Sequence, residues 1–148
     1  MSNVKKRDRK QSGFAVVDTA DIILSKTMVL CLKMPRRYTY LILTRLIDTA
    51  NDIADYCHEG NFVPKNAHEV QMRRDCFLRA RGLLTSLISK VSRFLDTPEI
   101  LTYKEPKTGD VKQITVAEYD EYIDLLDNEL NLITGTLSSD MDRYKDLV

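Results

Sequence analysis

The stretch Met34–Asn61, MPRRYTYLILTRLIDTANDIADYCHEGN, decides the fold. Between Pro35 and Gly60 it holds neither glycine nor proline. Tyr38, Ile42, Leu43, Leu46, Ile47, Ala50, Ile53, Ala54 and Cys57 recur three or four residues apart, which is the spacing of one helix face. Asp48, Asn51, Asp52 and Asp55 fall mostly off that stripe. Pro35 suits a first helical position, where no N–H partner is needed, and Gly60 is the expected stop. The span predicts a helix roughly 35 Å long.

The same period extends in both directions. Upstream, Ile23, Leu24, Thr27, Leu30, Cys31 and Met34 mark a helix capped near Asp18 or Thr19 and ended by Pro35. Downstream, Asn66 and Glu69 have capping-box spacing. A third stripe follows them: Cys76, Phe77, Ala80, Leu83, Leu84, Leu87, Ile88, Val91, Phe94 and Leu95, with Gly82 offering a place for close helix contact. The fourth begins at the box Thr115-Val116-Ala117-Glu118. It continues through Val116, Tyr119, Ile123, Leu126, Leu130, Ile133, Leu137, Met141 and Tyr144, with Gly135 and the Ser138-Ser139 pair as places where it could bend. Between the third and fourth helices, two β-prone runs flank Pro106-Lys107-Thr108-Gly109-Asp110, the pattern of a hairpin.

These elements predict an all-α, antiparallel up-down-up-down four-helix bundle over residues 14–148. A small β-hairpin is inserted at about 100–114, between helices three and four. Residues 1–13, with Lys5, Lys6, Arg7, Arg9 and Lys10 and almost nothing apolar, read as a flexible basic tail.

Composition narrows the function classes. The chain has 148 residues, 43% hydrophobic and 30% charged, ordinary values for one globular domain. No apolar run is long enough to span a membrane and no apolar signal core follows the basic N-terminus, so a cytoplasmic protein is expected. Cys31, Cys57 and Cys76 are an odd number on apolar stripes and read as buried reduced thiols. No Gly-rich phosphate loop, nucleophile elbow or Glu-x-x-His pair is present, and His58 and His68 are the only histidines. Cys57, His58, His68 and Cys76 match no zinc spacing. Asp120, Asp124 and Asp127 line one side of helix four and read as a solvated face. Neither an enzyme nor a cofactor is expected.

The net charge of zero hides a split. Residues 1–95 carry 17 Lys and Arg against 9 Asp and Glu, and residues 96–148 carry 5 against 13. A basic front half points to a polyanionic partner. On helix three, with Phe77 and Val91 near the centre of the buried side, Arg74 and Arg81 fall on one shoulder. Arg79, Lys90 and Arg93 fall on the other. Arg36 and Arg37 open helix two, with Arg45 further along. Such side chains either cover the apolar stripe with their stems or contact phosphates, and guanidinium groups suit the second task. The acidic fourth helix is a third possibility, pairing with basic helix three of the same chain or of a neighbour in a head-to-tail ring.

The opening stretch resembles a known group. KMPRRYTYLILTRLIDTANDIADYCHEG is similar to the bacterial four-helix-bundle family encoded in intervening sequences of 23S ribosomal RNA genes. The shared pattern is Pro35, Arg36-Arg37, Tyr38, the spaced Leu and Ile, Ala50, Ile53 and Glu59-Gly60. The same superfamily includes the accessory variability determinant of diversity-generating retroelements, and PKNAHEVQMRRDCFLRARGLL, Pro64 to Leu84, looks like those bundle proteins. The resemblance covers roughly residues 18–95. It implies a homopentameric ring that binds a reverse transcriptase and its template RNA, supports mutagenic cDNA synthesis and has no catalytic residues. Carried onto this chain, it implies contacts through Arg36, Arg37, Arg73, Arg74, Arg79 and Arg81. The sequence departs from the family where Tyr56-Cys57-His58 precede Glu-Gly. The alternative is a protein–protein adaptor of the same fold with no nucleic-acid role.

Overall fold

The computed structural model describes residues 11–34, 39–63, 69–95, 102–104, 107–113 and 116–143. Four helices account for most of them: α1, Gln11–Lys33; α2, Thr44–Phe62; α3, Val70–Leu95; and α4, Val116–Arg143. A five-residue π-helical turn, Thr39–Leu43, leads into α2. Between α3 and α4 lie two three-residue strands, β1 (Thr102–Lys104) and β2 (Val111–Gln113), paired antiparallel with Tyr103 opposite Lys112. Gly109 in the connection has φ 74°, a left-handed conformation that glycine adopts without a Cβ penalty.

The helices form a closed cycle in which α1 packs on α2 and α4, and α3 packs on α2 and α4. Cross-helix contacts give the directions. Asp21, early in α1, meets His58, late in α2, and Lys33, at the end of α1, meets Glu118, at the start of α4. Lys90, late in α3, reaches Thr49 in α2, while Arg73, early in α3, reaches Asp140 near the end of α4. Each neighbouring pair is therefore antiparallel, and the chain is an up-down-up-down four-helix bundle.

The core is built from the helical stripes. Val16, Ala20, Ile23, Thr27 and Cys31 of α1 are buried. So are Leu46, Ala50, Ile53, Ala54 and Cys57 of α2, and Phe77, Ala80, Leu84, Leu87 and Val91 of α3. From α4 come Tyr119, Tyr122, Leu126, Ile133 and Leu137. Each large apolar side chain fully withdrawn from water contributes about 1.5–3 kcal/mol, and this burial, more than helix propensity, holds the four rods together.

Several expectations are corrected. α1 begins at Gln11, not near Asp18, because Val16 and Ala20 extend the buried register without a break and Asp18 stands exposed. Gly60 does not stop α2. It lies inside the helix, buried, where a Cβ would come within 3.0 Å of the Phe77 ring and 3.1 Å of Cys76 Cβ. Gly60, not Gly82, is the position of close helix approach, since Gly82 faces open space. α4 runs through Gly135 and Ser138-Ser139 as one α-helix. Met141 is 58% exposed, and the buried place beside it belongs to Asp140. The Asn66 and Thr115 caps and the side chains of Phe94, Leu95 and Tyr144 lie outside the described residues.

Candidate functional site

α3 carries Arg73, Arg74, Arg79, Arg81, Lys90 and Arg93 against a single acid, Asp75. α4 carries eight acids, Glu118, Asp120, Glu121, Asp124, Asp127, Glu129, Asp140 and Asp142, against Arg143. The two helices pack side by side. The charge split of the sequence thus becomes a boundary between neighbouring rods.

Arg73 does not belong to the surface set. Four residues before Phe77, it shares the buried phase of α3 and is 4% exposed. Its Nε donates to Asp140 Oδ2 at 2.6 Å and its Nη1 to the Gly60 carbonyl at 3.0 Å. The guanidinium lies 5.0 Å from the centroid of the Phe77 ring. This group closes one end of the bundle by joining α2, α3 and α4, and it has no face left for a phosphate. The signal was present in the sequence: the spacing Arg73, Phe77, Ala80, Leu84 is that of the core stripe.

The other arginines separate as the wheel predicts. Arg79 is exposed on the α2 side, with its guanidinium 5.8 Å from the Tyr56 ring centroid. Lys90, half-buried on the same side, donates to Thr49 Oγ1 at 3.1 Å, so part of its capacity is used within the bundle. Arg93 is exposed in the last turn of α3, where a cation suits the helix end. Arg74 and Arg81, two turns apart, are half-buried on the opposite flank. Among the described residues, neither Arg74, Arg79 nor Arg81 pairs with a carboxylate. Arg36 and Arg37 lie outside the described residues.

A second polar group sits within the core. Glu129 of α4 is 0% exposed, and neither carboxylate oxygen has a hydrogen-bond partner among the described residues. Burial, and then the charge of Asp21, push its carboxyl up to about 8, so it holds its proton at neutral pH. Cys57 of α2 is near enough that Glu129 adds to the effect of burial in pushing its thiol far up. Burial likewise pushes the Cys31 thiol up to about 11. Such thiols are inert packing groups, not nucleophiles. His58 Nε2 meets Asp21 Oδ1 at 2.9 Å on the rim of this region. No sequence reading singled out Glu129. Its spacing of three from Leu126 and Leu132 and four from Ile133 placed it on the stripe, but its chemistry masked its phase.

Among the described residues, no group of three or more His, Cys, Asp or Glu is placed to hold a metal ion, and no helix is long and apolar enough to cross a membrane. No protein-family model, curated protein or solved structure matches this chain.

Proposed function

We propose that this chain is a non-catalytic, oligomeric accessory protein of the cytoplasm that binds a reverse transcriptase and its template RNA in a diversity-generating retroelement and supports mutagenic cDNA synthesis. Arg74 and Arg81 on one flank of α3, and Arg79 and Arg93 on the other, are the phosphate-contacting groups. Arg36 and Arg37, which lie outside the described residues, are further candidate contacts. The homopentameric ring implied by the resemblance is part of this reading.

The observation that carries it is that Arg74, Arg79 and Arg81 remain without a carboxylate partner among the described residues, although the acidic α4 packs against the helix that bears them. Guanidinium groups left unneutralised beside so many acids keep a positive field available to a polyanion. Contacts of this kind read backbone charge, not base sequence.

The test is RNA binding by fluorescence anisotropy across a salt series. Affinity falls roughly tenfold or more between 50 and 200 mM salt. Arg74→Glu combined with Arg81→Glu lowers it further with an unchanged circular dichroism spectrum. Salt-independent binding, or none with the protein alone or with a reverse transcriptase, rejects the reading.

A second reading is a protein–protein adaptor with no nucleic-acid role. It is favoured by the outward side of α1, where Ile22, Met28, Val29 and Leu32 stand 45–85% exposed. Tight association with a protein in the absence of RNA, lost on Met28→Asp with Leu32→Asp or on deleting residues 101–113, supports it.

A further inference from the structure

Of the eight large hydrophobic residues exposed among the described residues, four lie on α1. A helix that is apolar toward the core and again toward solvent has an unmet demand for cover. Two of the four, Ile22 and Val29, line a groove of about 510 Å³ between α1 and α4. Its floor includes Leu30, Tyr122 and Leu125. Tyr122 is fixed there by the hydrogen bond between its hydroxyl and Thr27.

The lining repeats every seven residues on both walls. α1 contributes Ile22 and Val29, then Lys26 and Lys33. α4 contributes Glu118 and Leu125, then Glu121 and Asn128. A seven-residue repeat on two antiparallel rods is the seam that receives a third helix, knobs into holes. The trough from Ile22 to Lys33 is about 16 Å long, three helical turns.

Charge specifies the occupant further. Lys33 and Glu118 close one end with a bridge at 2.8 Å. Beyond it, α4 presents Glu121 and Asp124, which pair with no cation among the described residues, and α1 presents Lys26. A second copy related by a two-fold axis would meet this face with the same face. Two facing troughs leave both unfilled, and with the axis across the helices the acidic walls of α4 also meet. The complement is a helix with Lys or Arg along one edge of its apolar stripe.

We infer that the α1–α4 groove is the docking seat for one amphipathic helix of a different protein, carrying an apolar stripe, Lys or Arg along the edge beside α4, and an acid beside Lys26. This seat is separate from the arginines of α3 and does not depend on RNA binding.

The test uses the full chain and two hydrocarbon-stapled, fluorescein-labelled peptides of roughly 14 residues, long enough to fill the trough. Both carry the same leucine stripe. One has Lys on the α4-facing edge and Glu on the other, and its isomer has the two edges exchanged. Anisotropy shows the first binding at least tenfold more tightly than the isomer. Val29→Asp weakens it at least tenfold. Glu121→Lys with Asp124→Lys reverses the preference between the peptides, a result that loss of structure cannot produce. Val29→Asp keeps its RNA affinity within about twofold, so failure here is distinguishable from failure of the RNA reading. Equal binding of the two peptides, or binding of neither, overturns the inference. So does self-association of the wild-type chain, or its co-sedimentation with phosphatidylcholine vesicles, if Val29→Asp abolishes either.

Discussion

Arg73 and Asp140 are joined at 2.6 Å across the α3–α4 interface, and both side chains are less than a tenth exposed. They carry opposite charges in a place where an apolar pair would also fit. A buried ion pair of this kind contributes little over a hydrophobic pair of equal volume, but either half alone is costly. Arg73→Met is expected to destabilise the bundle by about 3–5 kcal/mol, because it leaves Asp140 buried and the Gly60 carbonyl without its donor. Asp140→Leu should cost a similar amount. The double variant should be markedly more stable than the sum of the singles, with a coupling of about 0.5–3 kcal/mol in urea unfolding. Additive singles would mean that the two groups do not depend on each other.

Glycine substitutions separate contact from propensity. At Gly60 an added methyl meets the fully buried Phe77 ring and the Cys76 Cβ, neither of which has room to move. Gly60→Ala is expected to destabilise by about 1–3 kcal/mol despite the better helix propensity of alanine. Gly82 and Gly135 are helical, and a Cβ there meets nothing within 4 Å. Gly82→Ala and Gly135→Ala should each stabilise by about 0.5–1 kcal/mol. Thermal unfolding of the three variants checks both signs, and a stabilising Gly60→Ala would remove close packing as that residue's role.

The helical stripes were readable because apolar side chains mark their own phase. Phe77 and Val91, placed at the centre of the α3 stripe, are 0% and 3% exposed. The misreadings share one cause. Arg73, Glu129 and Asp140 occupy buried phases: the charge of Arg73 points to a surface role, and Glu129 and Asp140 carry no apolar mark of their phase. Gly60 was read from its local preference for helix ends, while its actual role depends on Phe77, a residue on another helix. The start of α1 was hidden by the charged tail next to it. For function, the sequence located the arginines of α3, but not the α1–α4 groove. Ile22 and Val29 fall off the apolar stripe of the first helix, and only the fold sets α4 beside them to make a groove.

Thiol chemistry offers a direct check on the core. Cys57 is 0% exposed and Cys31 is 7% exposed, and burial holds both thiols protonated at neutral pH. Reagents that require a thiolate should therefore modify them only as fast as the bundle opens. Labelling of Cys31 and Cys57, followed by mass spectrometry, should be slow in buffer and complete within the dead time in urea. Rapid labelling under native conditions would show that the α1–α2 seam is open.

Glu129 makes stability depend on pH in a direction opposite to that of most carboxylates. In the unfolded chain its carboxyl releases its proton near the ordinary 4.5, whereas in the bundle it keeps it up to about 8. Between those limits the folded state holds more protons than the unfolded state. Raising the pH therefore removes stability across that window and has no further effect through this group above it. The loss is on the order of a few kcal/mol, because a desolvated carboxylate with no donor must otherwise form in the core. Glu129→Gln, a neutral side chain of the same shape, should match the wild type near pH 4.5, exceed it increasingly toward pH 8, and show a flat profile between. Glu129→Leu should be more stable at both ends, since it also removes the two unpartnered oxygens. Urea midpoints measured at intervals from pH 4.5 to 8.5 would reveal the slope. If the wild type is flat and the glutamine variant is no more stable at high pH, the carboxylate has a partner or water access that stabilises its charge, and Glu129 exerts no control over the bundle.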